Sequence, residues 1–403
     1  MQGARWLGPV AAVVLGLAAV APPASARIKL ATLPVRERVE IQLENENATL
    51  VEEERTVTLL KGTNQIDFSW TNTQIDKWTI LFRPLAVGDA VRVINQSYPP
   101  GENALVWEVF ADNAGPVKVR ISYILGNLKR TFSYRATAEF DESTLTLRNY
   151  MRVANFSGEE FGLSSVWAGF GDLFQKEMGL QESKEVLVAK FVDVPIRKKF
   201  VFNWRSGQPV PDEPNQRYVT LHYVLKNVKP AAAPGGDATS LGSFPLPFGK
   251  VRIFQKDGRG GEAFTGEDWG KFTPSDDEMK LYLGLAKDVK VERTVKKNDR
   301  VPVQHNLFHQ DVIVQYKLQS FKKDACVLDI EEDMNELRNE FCGGKDREAQ
   351  WELQGQTTNR DAVERKSAQK VEVHVPLPAG PKEADKKPEE VIFLLHVLFK
   401  NEW

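Results

Sequence analysis

The sequence predicts an all-β protein with two or more antiparallel β-sandwich domains and little helix. Apolar residues recur at every second position in roughly fourteen short segments, which is the period of strands with one buried face. Clusters of Gly, Pro and Asn separate these segments, as turns of an antiparallel sheet require. No repeat of about 20–50 residues stands out, which disfavours a propeller or a solenoid.

Residues 1–26 have the features of a secretory signal peptide. Arg5 precedes the apolar run Leu7–Val20, and Ala24-Ser25-Ala26 supplies the small residues that favour cleavage after Ala26. The alternative is an uncleaved membrane anchor, but a span needs about 20 apolar residues and this run is shorter. We therefore expect an exported protein, periplasmic or secreted, with no membrane span in the mature chain.

Composition limits the partners and indicates several domains. The formal net charge is −2, from 53 Lys and Arg against 55 Asp and Glu, so bulk charge does not attract nucleic acid or an anionic membrane. The chain of 403 residues exceeds what one compact core usually holds. The predicted division is a signal peptide (1–26), an N-terminal β-domain (27–115), a β-sandwich domain (116–325), a charged insertion (326–370) and C-terminal strands that complete the β-domain (371–403).

The first domain is predicted to begin with the strand Arg38–Glu44, in which apolar and polar residues alternate. Arg55–Leu60 and Gln65–Trp70 flank the turn Lys61-Gly62-Thr63-Asn64, and this pattern predicts a β-hairpin. Two more strands are predicted, at Val91–Ile94 and Leu105–Phe110.

The second domain opens with the clearest alternation of the chain, at Val117–Tyr123. Gly126-Asn127 is predicted to turn this strand back into Phe132–Phe140, and Glu159–Gly179 is less regular and is predicted to hold one short helix. Further strands are predicted at Leu145–Val153, Val186–Val194, Lys199–Trp204 and Arg217–Lys226.

The segment Phe248–Lys296 predicts an antiparallel meander, because Asp257-Gly258 and Gly260-Gly261 offer the positive-φ residues of a tight reversal. Strands are also predicted at Val312–Leu318 and Val371–Leu377. The closing strand Val391–Phe399 is long and apolar and should lie inside a sheet. The charged stretch that ends at Lys370 is expected to be a surface excursion or a partly mobile segment.

The two cysteines leave two alternatives open. Export permits a disulfide between Cys326 and Cys342. The residues between them have the apolar spacing of an amphipathic helix, and a continuous helix would hold the two Cα atoms roughly 24 Å apart, too far for a disulfide. A bridge therefore requires a broken or shortened helix. The spacings of zinc sites are absent.

Residue types that carry chemistry are present without a recognisable catalytic pattern. His305 and His309 have the spacing of a helical metal pair, but Pro302 and the lack of an HExxH pattern favour loop histidines. His222, His374 and His396 lie within alternating strands, which favours sheet packing. No nucleophile elbow, dinucleotide fingerprint or phosphate loop is found, so we expect no catalytic, cofactor-binding or metal-binding residues.

Acidic and aromatic residues allow an enzymatic alternative. Glu267, Asp268 and Asp276 could serve as a carboxylate cluster on polysaccharide or peptide if they share a cleft with Trp269, although solvated turn residues are the simpler interpretation. Sequons begin at three asparagines: Asn47, Asn95 and Asn155. Core packing is expected for Trp70, Trp78, Trp107, Trp167, Trp204 and Trp269.

Several stretches resemble the mucoidy-inhibitor A-like family of secreted or envelope proteins, built on a β-rich domain of unknown function. The resemblance covers about residues 117–325, and the region Thr56–Phe68 looks like the leading domain of that family. The chain lacks the coiled coil that often separates the two domains, and the segment Cys326–Lys370 is unusual. The matching stretches are Ile121-Ser122-Tyr123, Tyr134–Ala138, Leu147–Glu160, Leu246–Phe254, Phe264–Asp268, Thr273-Pro274 and Leu281–Arg293.

The resemblance implies a secreted or envelope β-protein loosely connected with exopolysaccharide, and it carries over no site residues. We therefore expect a non-enzymatic interaction or scaffold module, with an envelope protein or polysaccharide as partner. The alternatives are a polysaccharide- or peptide-acting enzyme and a module that binds by edge-strand addition beside the loop Pro378–Pro388.

Overall fold

The computed structural model describes residues 31–45, 48–85, 88–231, 235–236, 238–344, 347–383 and 386–403. The predicted signal peptide and the sequon asparagine Asn47 lie outside these residues. The described part of the chain is all-β, as predicted, with a single α-helix. It contains no helix with the length and apolar character needed to cross a bilayer.

The amino-terminal part forms two facing sheets with the orders β1-β4-β7-β6 and β12-β11-β2-β3-β8-β5. The strands between residues 31 and 178 are β1 (Ala31–Thr32), β2 (Arg38–Asn45), β3 (Ala48–Leu59), β4 (Gly62–Ser69), β5 (Ile75–Pro84), β6 (Val91–Ser97), β7 (Ala104–Ala111), β8 (Gly115–Leu125), β9 (Leu128–Ala138), β10 (Thr144–Asn155), β11 (Phe161–Trp167) and β12 (Phe174–Met178). Of these, β9 and β10 belong to a different sheet, described next.

The first hydrophobic core lies between these two sheets. Trp107 and Tyr123 are among its largest fully buried side chains, and Phe68 packs against both rings at 5.8 and 5.9 Å between centroids. Strands from both sides of the expected boundary at residue 115 build this core, because β8 pairs with β3 along its whole length and β11 pairs with β2. The first sandwich therefore extends to Met178.

The middle of the chain forms a ten-stranded sheet, in which β9 and β10 join β13, β16, β17, β18 and β19. Another hydrophobic core, separate from the first, is lined by residues from β9, β10, β13, β16, β17 and β19 of this sheet, so the sheet curls around it. The additional strands of this region are β13 (Ser183–Asn203), β14 (Pro209–Val210), β15 (Glu213–Arg217), β16 (Val219–Lys226), β17 (Gly249–Lys256), β18 (Glu262–Gly270) and β19 (Glu278–Ala286).

A six-stranded sheet of order β14-β15-β20-β21-β26-β23 covers the remaining hydrophobic core, which lies in the carboxy-terminal part of the chain. The closing strand β26 pairs with β21 on one side and β23 on the other, which confirms its interior position. The remaining elements are β20 (Val289–Gln304), β21 (Leu307–Ser320), β22 (Cys326–Asp333), α1 (Met334–Cys342), β23 (Trp351–Leu353), β24 (Val363–Arg365), β25 (Lys370–Leu377) and β26 (Glu390–Glu402).

Several predicted strand pairings are wrong, although the strands themselves exist. β3 pairs with β2 and β8 while β4 pairs with β1 and β7, so the turn at Gly62 crosses between sheets and closes no hairpin. β8 and β9 also lie in different sheets. In the predicted meander, β17 and β18 form the expected hairpin, but β19 pairs with β16 and β20 with β21. Alternation reveals which face is buried and leaves the hydrogen-bonding partner undetermined.

The predicted helix in Glu159–Gly179 is also wrong, since this segment forms β11 and β12. The predicted insertion 326–370 begins with a strand of the ten-stranded sheet. β22 runs parallel to β13 and antiparallel to β25, and Leu328 and Ile330 are fully buried. Its buried acidic residues, Asp329 and Glu332, have partners on distant strands, which explains why the segment looked like a surface excursion.

Neither cysteine alternative holds in full, because the helix is shortened but no disulfide accompanies it. Cys326 begins β22, Cys342 ends α1, and the structure has no bond between their sulfur atoms. The helix begins at Met334 because the side chain of Asp333 accepts hydrogen bonds from the backbone N–H groups of Asn335 and Glu336.

Candidate functional site

The most exposed aromatic pair of the central domain lies at one border of the ten-stranded sheet. Phe248 and Trp269 stack with 4° between their ring planes and 5.1 Å between centroids, and their exposed fractions are 58% and 53%. The Lys250 ammonium lies 5.4 Å from the Trp269 ring centroid and 2.9 Å from Oε1 of Glu267. We call Phe248, Lys250, Glu267 and Trp269 the aromatic surface.

Close packing beneath the aromatic surface fixes its position. At Gly249 a Cβ atom would lie 2.5 Å from the carbonyl oxygen of Phe132, so glycine permits the close approach of β17 to β9. The Tyr134 hydroxyl donates a hydrogen bond of 2.6 Å to the carbonyl of Pro247. Phe248 therefore leaves a rigid strand end rather than a free loop, which limits the entropy lost when a ligand binds.

The carboxylates of the enzymatic alternative do not converge. Glu267 forms an ion pair with Lys250, whose hydrogen bond lowers the pKa of that carboxyl. Asp268 accepts hydrogen bonds from the backbone N–H groups of Trp269 at 2.8 Å and Tyr282 at 2.6 Å, so it bridges β18 to the neighbouring β19. Asp276 lies at the separate turn before β19, with φ of 69°. The side chains of Glu267 and Asp268 point to opposite faces of β18 because they are successive residues.

A second polar group lies on the outer face of the ten-stranded sheet, and we call it the lysine-centred cluster. Ligand atoms of Asp329, Glu372 and His374 lie within 4.8 Å of one another, as a metal site would require. The Lys199 ammonium lies 3.3 Å from Asp329 and donates to Glu372. Burial disfavours its charge, but the two carboxylates outweigh burial and raise the pKa of Lys199. A lysine therefore already supplies the positive charge that a metal ion would bring.

The histidines of the strands are hydrogen-bonded within the sheets. His374 lies 2.6 Å from Asp329, and His396 lies 2.6 Å from Asp311. Of the two histidines predicted to lie in a loop, His305 occupies a turn with φ of 52°, and Nδ1 of His309 accepts a hydrogen bond from the backbone of Asn401. The loop prediction is wrong for His309, which lies in strand β21.

His222 has a defined tautomer. The Thr220 hydroxyl donates to the carbonyl of Val201, so the hydrogen bond of 2.9 Å between Thr220 and Nε2 of His222 requires a proton on Nε2. Burial lowers the pKa of His222 to about 4. The ring is therefore neutral at pH 7 and presents its unprotonated nitrogen Nδ1 inward.

A cavity of about 250 Å³ opens in the amino-terminal sandwich. Arg36 and Arg55 line it, and both donate to Glu53, a carboxylate with no exposed surface. Sequence analysis missed Glu53 because Glu52-Glu53-Glu54 looks like a solvated run. The alternation of β3 could have indicated that Glu53 is buried, since Glu53 lies on the same face of the strand as the buried Val51 and Val57.

The expectation of core packing holds for some tryptophans only. Trp107 and Trp70 are buried, whereas Trp78 is 72% exposed and Trp269 belongs to the aromatic surface. Among the sequons, Asn95 is exposed, while the side-chain amide of Asn155 is buried and donates to two carbonyls. Asn155 is thus unavailable for glycosylation in the folded protein.

No family model matches the sequence, and a search of curated proteins finds no match. The resemblance to the mucoidy-inhibitor A-like family therefore stays a prediction.

Proposed function

We propose that this protein is an exported, non-enzymatic interaction module of the cell envelope that binds polysaccharide at its aromatic surface. The observation that carries the proposal is the parallel, stacked pair of Phe248 and Trp269, each of which is more than half exposed. An exposed apolar pair on a rigid strand end marks a surface built for contact.

The chemistry of the aromatic surface suits a sugar chain. Flat aromatic rings pack against the apolar faces of sugar rings, and the exposed parts of the stacked pair offer such a surface. Lys250 and Glu267 add a donor and an acceptor beside the rings, so hydroxyl groups at the edge of a sugar find partners. A neutral or weakly charged polysaccharide fits this mixture better than a strongly charged one.

The ionisation of the same site favours binding over hydrolysis. A glycosidase acid needs a carboxyl with a raised pKa, but the hydrogen bond from Lys250 lowers the pKa of Glu267. Both oxygens of Asp268 accept hydrogen bonds from backbone N–H groups, one of which belongs to Tyr282 and joins β18 to β19. Glu267 is therefore held in an ion pair and Asp268 in backbone hydrogen bonds, and neither carboxylate is free to act as the acid or the base of a hydrolase.

Affinity electrophoresis through gels that contain envelope polysaccharide from the source organism tests the proposal. The polysaccharide should retard the wild-type protein, and Trp269→Ala should weaken the apparent affinity about fivefold, since a stacking contact is worth on the order of 1 kcal/mol.

Trp78→Ala is the matched control, because Trp78 is also an exposed tryptophan beside a lysine, at 4.8 Å from Lys77, but lies in the amino-terminal sandwich. Equal retardation of the two variants, or no retardation of the wild type by any envelope fraction, would refute the proposal.

A further inference from the structure

The cavity of the amino-terminal sandwich has a wall of mixed charge. Glu53, behind the two lining arginines, accepts hydrogen bonds from Arg36 on one oxygen and from Arg55 on the other, the latter at 2.9 and 3.1 Å. Arg36 also forms an ion pair with Glu159 at the rim. These two arginines and two glutamates cancel one another's charge, so the network adds no net charge to the cavity.

Polar groups on the wall keep hydrogen-bonding capacity. The Asp67 carboxylate has no ion-pair or hydrogen-bond partner among the described residues, and burial raises its pKa. The Trp70 indole N–H also has no partner among these residues, although Trp70 is 91% buried by its exposed fraction of 9%. Each guanidinium carries five N–H groups, and Arg36 and Arg55 each use three contacts within the protein.

The size of the cavity suits one small molecule. About 250 Å³ corresponds to roughly eight water molecules at about 30 Å³ each. Phe68 and Ile75 add apolar surface to the polar groups of the wall. A ligand of this size needs one apolar side and several groups that both donate and accept hydrogen bonds.

Ions of either sign are disfavoured there. An anion would meet the carboxylates of Asp67 and Glu159, and a cation would meet the guanidinium groups of Arg36 and Arg55, all in a partly desolvated site. A neutral ligand with several hydroxyl groups meets donors and acceptors without a like charge.

We propose that this cavity is a second binding site, distinct from the aromatic surface, that takes a neutral polyol of the size of a single sugar residue. Asp67 and Glu159 accept hydrogen bonds from its hydroxyl groups, the indole of Trp70 and the arginines donate to them, and Phe68 packs against its apolar side.

Saturation-transfer difference NMR on the purified protein tests this assignment. The neutral probes are D-glucose, D-galactose, D-mannose and N-acetyl-D-glucosamine, and the charged probes are D-glucuronate and D-glucosamine. At least one neutral sugar should receive saturation, and the two charged sugars should receive much less.

Two conservative variants locate the site. Asp67→Asn keeps the shape of the side chain and removes its charge, and Trp70→Phe keeps an aromatic ring and removes the indole N–H. Each should weaken binding of the responding sugar at least about tenfold, the loss expected for one charged or buried hydrogen bond. Circular dichroism and a melting curve establish that both variants are folded.

Trp269→Ala separates this site from the aromatic surface, because it should weaken polysaccharide retardation and leave the response of the single sugar unchanged. The inference is overturned if no neutral sugar receives saturation, if the charged sugars respond equally, or if Asp67→Asn and Trp70→Phe bind as the wild type does. None of these results bears on the proposal for the aromatic surface.

Discussion

Replacing Glu53 by glutamine should destabilise the amino-terminal sandwich more than any other single change of charge on β3. The Glu53 side chain has no exposed surface, and its partners Arg36 and Arg55 expose only 24% and 12% of theirs. The amide introduced by Glu53→Gln would turn an NH₂ group toward one guanidinium and leave two buried cations with the charge of Glu159 alone.

The expected loss is about 3–5 kcal/mol in the free energy of unfolding, the cost of removing one partner from a buried ion pair. For a sandwich of this size the same loss lowers the melting temperature by about 6–20 °C. Urea unfolding followed by tryptophan fluorescence measures it, because Trp70 and Trp107 lie in the first core and report its transition.

Glu52→Gln is the matched control. Glu52 precedes Glu53 on β3 but points to the opposite face, where it pairs with the exposed Arg83. The expected loss for an exposed pair is about 0–1 kcal/mol. If Glu53→Gln costs no more than Glu52→Gln, the buried network does not stabilise the amino-terminal sandwich, which contradicts the role assigned to Glu53.

Three further predictions concern other titratable groups. Zn²⁺ should leave the melting temperature of the wild type unchanged but raise that of Lys199→Ala, because the substitution removes the ammonium from the lysine-centred cluster; a response of the wild type would mean that metal displaces the lysine. The His222 ring should titrate near pH 4 in NMR spectra because burial lowers its pKa to about 4, and a midpoint near pH 6.5 would contradict that burial. Asp67→Asn should raise the free energy of unfolding at pH 7, because the raised pKa of Asp67 means that only its ionised form destabilises the fold. That gain should disappear in urea melts below pH 3.8, where the carboxyl is protonated in both folded and unfolded states; a gain that persists there would have a cause other than ionisation.

Fold class followed from local pattern because a strand with one wet face displays its period in sequence. The alternation at Val117–Tyr123 and the turn residues at Asp257-Gly258 both reappear in the structure, where Asp257 accepts hydrogen bonds from the backbone of Arg259 and Gly261. Strand β22 was missed because its apolar residues also fit the spacing of the amphipathic helix predicted between the two cysteines, and because its buried carboxylates resemble surface residues.

The candidate sites were harder to predict than the fold. Trp269 and Glu267 were identified from the sequence, but Phe248 became their neighbour only because β17 and β18 pair in the register that sets Lys250 opposite Trp269. The cavity was not predicted, because Arg36, Asp67 and Glu159 are distant in the sequence and come together only where the two sheets pack face to face. Residues in one cavity share a location that no local pattern encodes.

By itself, the sequence determined the class of secondary structure and the positions of most strands, because side-chain alternation and turn chemistry act over a few residues. Only the tertiary structure decided which strands pair, which tryptophans are exposed and which charges are buried together. Hydrogen bonding between strands is generic to every backbone, so the choice of partner depends on how all the buried faces fill a common core.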